Sequence, residues 1–206
     1  MTRLLEQLTL LDRSEIARIP RKYHDIITAS VNLKGCMDLD TVKGCTLGMN
    51  AGHDRGCYDE CYANTIASRY GIDFATSVTR DFADTRQHRD TIIRQLAVHK
   101  ANWYRIGVMG DPCHAWDHTI RIIKAVRPAR RTAVIITKHW IPLTDDQISK
   151  LLELDVVFNT SNSGLDTDAQ MRHRVGQMFR LRDAGIPSVN RVVTCEYGDS
   201  EWAQEA

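Results

Sequence analysis

No stretch of this 206-residue chain approaches the roughly 18 consecutive apolar residues of a membrane-spanning helix, so no membrane role is expected. No charge of one sign dominates either. Lys and Arg number 27 against 26 Asp and Glu, a formal net charge of +1. Global charge therefore makes no case for a nucleic-acid or membrane partner. The opening segment MTRLLEQLTLLDRSE carries charges throughout and lacks a small-residue cleavage site. It does not read as a secretory leader, and a cytoplasmic address is the default expectation. Internal repeats, low-complexity tracts and linkers are also missing. What remains is an ordinary globular composition, 43% hydrophobic and 26% charged, long enough for one sizeable core.

The pattern along the chain predicts a single domain over 1–206. Residues 1–22 form an N-terminal helical segment, with apolar positions at Leu4, Leu5, Leu8, Leu11, Ile16 and Ile19. Residues 23–198 form the core and 199–206 a tail. HDIITASVNL (24–33) has the β-branched residues of a strand. CYANTIASRYG reads as a short helix closed by Gly71, and a helix is expected within 81–101. A regular alternation follows: strands at 104–110, 131–138, 155–161 and 187–196, helices at 115–126, 144–154 and 167–185. Thr144 and Thr167 stand where helix N-caps belong, with acids in the turn after them. Apolar runs alternating with helices predict parallel strands and an α/β fold, either an open sheet or a barrel. In both, functional residues gather at the C-terminal ends of strands. That rule singles out MGDPC (109–113), TKHW (137–140), NTSNSG (159–164) and TCEYG (194–198).

Six cysteines are present: Cys36, Cys45, Cys57, Cys61, Cys113 and Cys195. Clustered thiols in a reducing compartment point to metal or catalysis rather than disulfides. Cys36, Cys45, Cys57 and Cys61 together could close a zinc site, although only Cys57 and Cys61 form a near pair. Cys45, Cys57 and Cys61 alone would suit an iron–sulfur cluster with one iron left open. Gly44, Gly48, Gly52 and Gly56 would let the loop wrap closely around an anionic group. A redox or nucleophilic pair is the third reading, with His53 the one nearby base in the loop.

KGCTLGMNAGHDRGCYDECYAN resembles the cluster motif of the radical S-adenosylmethionine (radical SAM) superfamily. It is most similar to phage-associated radical-SAM-like proteins, whose signature runs Gly-Cys-Thr, then Gly-Cys, then Cys-Tyr-Ala. Gly44–Cys45–Thr46, Gly56–Cys57 and Cys61–Tyr62–Ala63 match it in order. Spore photoproduct lyase is a more distant likeness. The spacing is C-x11-C-x3-C, and Cys36 stands near enough in sequence to replace Cys45. RIGVMGDP, ITKH, VVFNTSNS and SVNRVVTCE resemble successive strand ends of the family, so the likeness runs from about residue 26 to 198.

The resemblance implies a partial (β/α) barrel of five to six parallel strands. It implies a [4Fe–4S] cluster on Cys45, Cys57 and Cys61, with S-adenosylmethionine (SAM) on the open iron. Reductive cleavage would then give a 5′-deoxyadenosyl radical that takes a hydrogen atom from substrate. Met109, Gly110 and Asp111 would meet the SAM amino group, and Lys138 its carboxylate. Ser161, Asn162 and Ser163 would bind ribose or carboxylate. Tyr62, with Tyr58, would pack on adenine or shield the cluster, and Glu196 would face the site. Cys113 and Cys195, after strands on the same face, could donate a hydrogen atom to a product radical. An electron donor such as flavodoxin or ferredoxin is the implied partner. Two basic stretches, Arg121 to Lys138 and Arg172 to Arg182, suggest a nucleic acid or nucleotide substrate. A zinc-bearing nucleic-acid-binding module and a non-catalytic iron–sulfur scaffold remain alternatives.

Overall fold

The computed structural model describes residues 20–23, 36–51, 57 and 61–193. Its centre is a five-stranded sheet of β1 (Met37–Asp38), β4 (Trp103–Ile106), β5 (Thr132–Thr137), β6 (Val156–Ser163) and β7 (Ser188–Val193). The strands lie in that order and every pairing is parallel. Among the described residues the fold is thus α/β with five parallel strands; β4 to β7 fall where the alternation predicts strands, whereas β1 is not among those anticipated. The strand expected at 24–33 and most of the N-terminal helical segment lie outside the described residues.

A separate two-stranded antiparallel pair, β2 (Val42–Lys43) with β3 (Val78–Thr79), brackets two short helices, α1 (Thr46–Met49) and α2 (Tyr62–Arg69). Three further helices cross between the sheet strands: α4 (Trp116–Val126), α5 (Asp145–Leu152) and α6 (Asp168–Asp183). Helix α3 (Arg86–Val98) precedes β4. Thr144 and Thr167 each form the full reciprocal capping box, with Gln147 and Gln170. Each cap is worth about 1 kcal/mol.

Alternation along the strands separates two faces. Tyr104, Ile106, Ala133, Ile135, Val156 and Phe158 pack against the helices with Leu96, Trp116, Ile120, Ile123 and Leu181. The opposite face carries a smaller cluster of Val134, Val157 and Val189, covered by Tyr23 and Trp103.

Strand β4 ends at Ile106, four residues short of the predicted 110. The reason is Asp40, buried beside it. Its carboxylate accepts hydrogen bonds from the backbone N–H groups of Gly107, Val108 and Met109 at 2.8–2.9 Å. Those donors are lost to the ladder, and Gly107 turns the chain at φ +98°.

Candidate functional site

The two-stranded pair is fastened to the sheet through backbone. Gly44, at φ +82°, bridges Gly110. A Cβ on Gly44 would lie 2.2 Å from the Thr76 carbonyl oxygen, and one on Gly110 2.5 Å from that of Val42. Only glycine permits this approach. It delivers Cys45 to the end of β4, where the Cys45 N–H donates to the Phe74 carbonyl at 2.8 Å.

Helix α1 then curls beneath the thiols. A Cβ on Gly48 would meet the Cys45 Sγ at 2.7 Å and the Cys57 Sγ at 2.9 Å, so both sulfurs rest on the space a side chain would fill. The Cys57 N–H donates to the Gly48 carbonyl at 2.6 Å, with Cys57 held at φ +37°. Cys61 is the N-cap residue of α2. The Cys57 thiol donates to the Cys61 sulfur, and the N-terminal end of α2, at the Ala63 and Asn64 N–H groups, also favours its thiolate. Together they outweigh burial and bring the Cys61 thiol down to about 6. Cys57, the donor of that bond, is pushed upward, first by the bond and then by burial. Burial and the Asp111 charge push Cys45 up to about 12.

These three thiols line one cavity of about 180 Å³ with the ends of β4, β5 and β6. Gly110 and Asp111 contribute after β4, Thr137 from the last position of β5, Lys138 and Trp140 after it, and Ser161 and Ser163 from β6. Tyr62 lies at the wall as a largely exposed residue, and its hydroxyl donates to the Val108 carbonyl at 2.8 Å. Strand ends and cysteine loop therefore converge as the strand-end rule requires.

Several expected roles need adjustment. Asn162 is not in the cavity wall. The period of two that brings Ser161 and Ser163 to the cavity turns Asn162 to the other face, where its Nδ2 donates to Asn190 Oδ1 at 2.6 Å. Met109 packs beside Cys45, Ala63 and Phe74 rather than lining the cavity. Asp111 accepts three hydrogen bonds, from the Cys113 N–H at 3.0 Å, the Thr137 hydroxyl at 2.7 Å and the Lys138 N–H at 2.8 Å. About one of a carboxylate's four acceptor sites remains for an incoming ammonium. Cys113 belongs to the helix-face core, outside the cavity wall, and burial pushes its thiol upward. Cys36 precedes β1, level with Trp103 at the opposite end of β4, away from the other thiols. Tyr58, His53, Cys195 and Glu196 lie outside the described residues.

Lys138 reaches Asp166 at 3.4 Å, and Asp166 also pairs with Arg174. Burial and Arg174 push the Lys138 ammonium downward, while Asp166 and Cys57 oppose them. Burial works against the Asp166 charge, but the Lys138 and Arg174 cations hold its carboxyl below the usual range. Arg174 is itself buried. Its Nε donates to the Lys138 carbonyl at 2.8 Å, and its guanidinium stacks over Trp140 at 4.6 Å. Several residues of the basic stretches are likewise engaged within the chain. Arg131 bonds the carbonyls of Leu96 and Ala97, Arg180 that of Leu143, and Arg121 pairs with Asp81.

The sequence reading did not single out Trp140, His114 or the Asp166–Arg174 pair. His114 places Nε2 3.4 Å from the Cys45 Sγ. Trp140 carried a signal as part of a strand end, and Arg174 as part of a basic stretch read as facing phosphate. The others meet the site through contacts between distant elements, which no local pattern encodes. Among the described residues, no three His, Cys, Asp or Glu side chains form a ready single-ion site. No family model, curated protein or solved structure matches the chain.

Proposed function

We propose that this chain is a radical SAM enzyme built on a partial (β/α) barrel, with a [4Fe–4S] cluster held by Cys45, Cys57 and Cys61. The observation that carries the reading is the shared cavity: three thiols from one loop and the polar ends of three successive parallel strands line the same space. The donor set fits the group. Thiolates are the usual ligands of such clusters, and Cys61 ionises near neutral pH within the protein. The space over Gly48 keeps Cys45 and Cys57 side by side. A cuboidal cluster bonds each thiolate through a different iron, so the three sulfurs need not converge on one point.

When bound, the cluster would supply the electron that cleaves SAM reductively. The protein's part is positioning. Lys138, the one lysine among the described wall residues, would face the SAM carboxylate. The Ser161 and Ser163 hydroxyls offer hydrogen bonds to the ribose, and the remaining Asp111 acceptor site offers one to the amino group. Phe74, Ile136 and Trp140 provide apolar wall that excludes water. Tyr62 would cover the mouth. An electron donor of the flavodoxin or ferredoxin kind completes the proposal.

One contact favours a second reading. His114 beside Cys45 would complete a Cys3His zinc set if the thiols of Cys57 and Cys61 moved in to meet the same ion, since these side chains do not form a ready single-ion site as they stand. Anaerobic purification decides between them. About four irons per chain with broad visible absorption is expected for the cluster. A colourless protein with one zinc would overturn it. Incubation with SAM and a strong reductant should then release 5′-deoxyadenosine. Iron without that product would leave a non-catalytic scaffold.

A further inference from the structure

His114 is not among the residues of the cavity wall, yet its Nε2 lies 3.4 Å from the Sγ of Cys45, which is. Both residues are fixed from the same short piece of chain. The Gly44 N–H donates to the Met109 carbonyl at 3.1 Å, and Gly44 bridges Gly110, which sets the position of Cys45. Asp111 then caps the single helical turn Pro112–Ala115. Its carboxylate accepts from the Cys113 N–H at 3.0 Å and its carbonyl from the His114 N–H at 3.3 Å. Buried Trp116 anchors the far end of the turn, with its Nε1 donating to the Ile141 carbonyl at 2.9 Å. Backbone on both sides therefore holds the imidazole against this one sulfur.

A cysteine that binds metal does so as a thiolate and has no proton to give. The bond between Cys57 and Cys61 depends on the Cys57 thiol proton, so it is lost once both are ligands. The contact at Cys45 survives in one sense only, with Nε2–H as donor and sulfur as acceptor. Burial and the Asp111 carboxylate both disfavour negative charge on Cys45, and a donor at the sulfur offsets them. Reduction adds negative charge to a cluster, so a hydrogen bond to a ligating sulfur stabilises the reduced form and raises the potential. We propose that His114 is a positioning residue that donates through Nε2–H to the Cys45 thiolate and raises the reduction potential of the cluster. The inference rests on the proposed function, which supplies the cluster. Its consequence is easier electron delivery from a donor of the flavodoxin or ferredoxin kind.

The test is an EPR-monitored redox titration of the reconstituted full chain, in the wild type, His114→Phe and His114→Gln. Iron content and SAM cleavage are measured on the same preparations. Phenylalanine keeps the bulk of the ring without the donor, and glutamine restores an N–H near the place of Nε2. His114→Phe should keep about four irons per chain. At a given potential its reduced-to-oxidised ratio should fall about tenfold, a midpoint about 59 mV lower for one electron. His114→Gln should lie closer to the wild type than to His114→Phe. Pulsed EPR of the wild type grown on 15N-histidine should show a weak nitrogen coupling that His114→Gln lacks. A coupling as strong as that of a metal-bound nitrogen would overturn the assignment, as would a midpoint in His114→Gln displaced as far as in His114→Phe. Iron lost alike from both variants would also overturn it, by making His114 a ligand or a prop. Full iron and SAM cleavage in His114→Phe with an unmoved potential would sink the assignment and leave the enzyme reading standing. A wild type that takes up no iron would overturn the enzyme reading itself, and the assignment with it.

Discussion

The half of the molecule from β4 to β7 and the half that carries the thiols are held by different forces. In the first, strands of four to eight residues bury continuous apolar rows, with Ile106, Ile135 and Phe158 wholly inside. In the second, the strands are two residues long. There the chain is fixed by glycine-to-carbonyl approach, by Asp40 gathering three backbone N–H groups, and by Ser77 bonding Thr46 through both N–H and hydroxyl. Its core is a small one, of Cys45, Ala63, Ala67 and Phe74. The sheet half is stabilised by area removed from water. The thiol half depends on directional bonds, so small displacements matter more there.

The largest effect should come from the sheet half. Phe158→Ala should cost about 3–5 kcal/mol of global stability, through lost transfer energy and a cavity. Urea unfolding measures it, and a loss below about 1 kcal/mol would break the contrast. His139 follows. It is buried at φ +50° between Trp116 and Phe158, and burial brings its imidazole down to about 4 from an ordinary 6.5. The folded state therefore binds its proton less well than the unfolded state. The stability His139 contributes is complete above pH 6.5 and is lost as pH falls through about 4, on the order of 3 kcal/mol in all. His139→Asn, which tolerates positive φ, should flatten that limb of a stability–pH curve. An unchanged slope would count against the buried neutral ring.

Gly48→Ala tests the thiol half. Alanine favours the helix by up to about 1 kcal/mol, yet its Cβ would collide with two sulfurs. Unfolding stability should stay within about 1 kcal/mol of the wild type, while iron per chain after reconstitution falls severalfold. Full iron loading would show that the sulfurs do not rest on that space. The smallest effect belongs to Lys22→Ala. It removes an exposed ion pair with Asp155, worth about 0–1 kcal/mol and less in high salt. Denaturation at two salt concentrations checks it.

The same division decides what could be read in advance. The alternation of β4 to β7 was legible because apolar rows and caps leave periodic marks, down to the Thr144 and Thr167 boxes. The pairing of β2 with β3 was not, since two residues carry no period. The early end of β4 was hidden too, because its cause, Asp40, lies on another segment. The split of Ser161 and Ser163 from Asn162 was available from strand alternation alone. The burial of Arg174 was not, for its partners Asp166, Trp140 and the Lys138 carbonyl come from two other stretches of chain.

The seam of Gly44 and Gly110 sets a rule for altering this molecule. Where the thiol loop meets the strand ends, the join is made of carbonyls, N–H groups and bare Cα atoms. Wall residues such as Lys138, Trp140 or Ser161 can be exchanged without touching that join. The frame and its furnishing are separate, so a change of ligand preference requires new side chains but no new backbone.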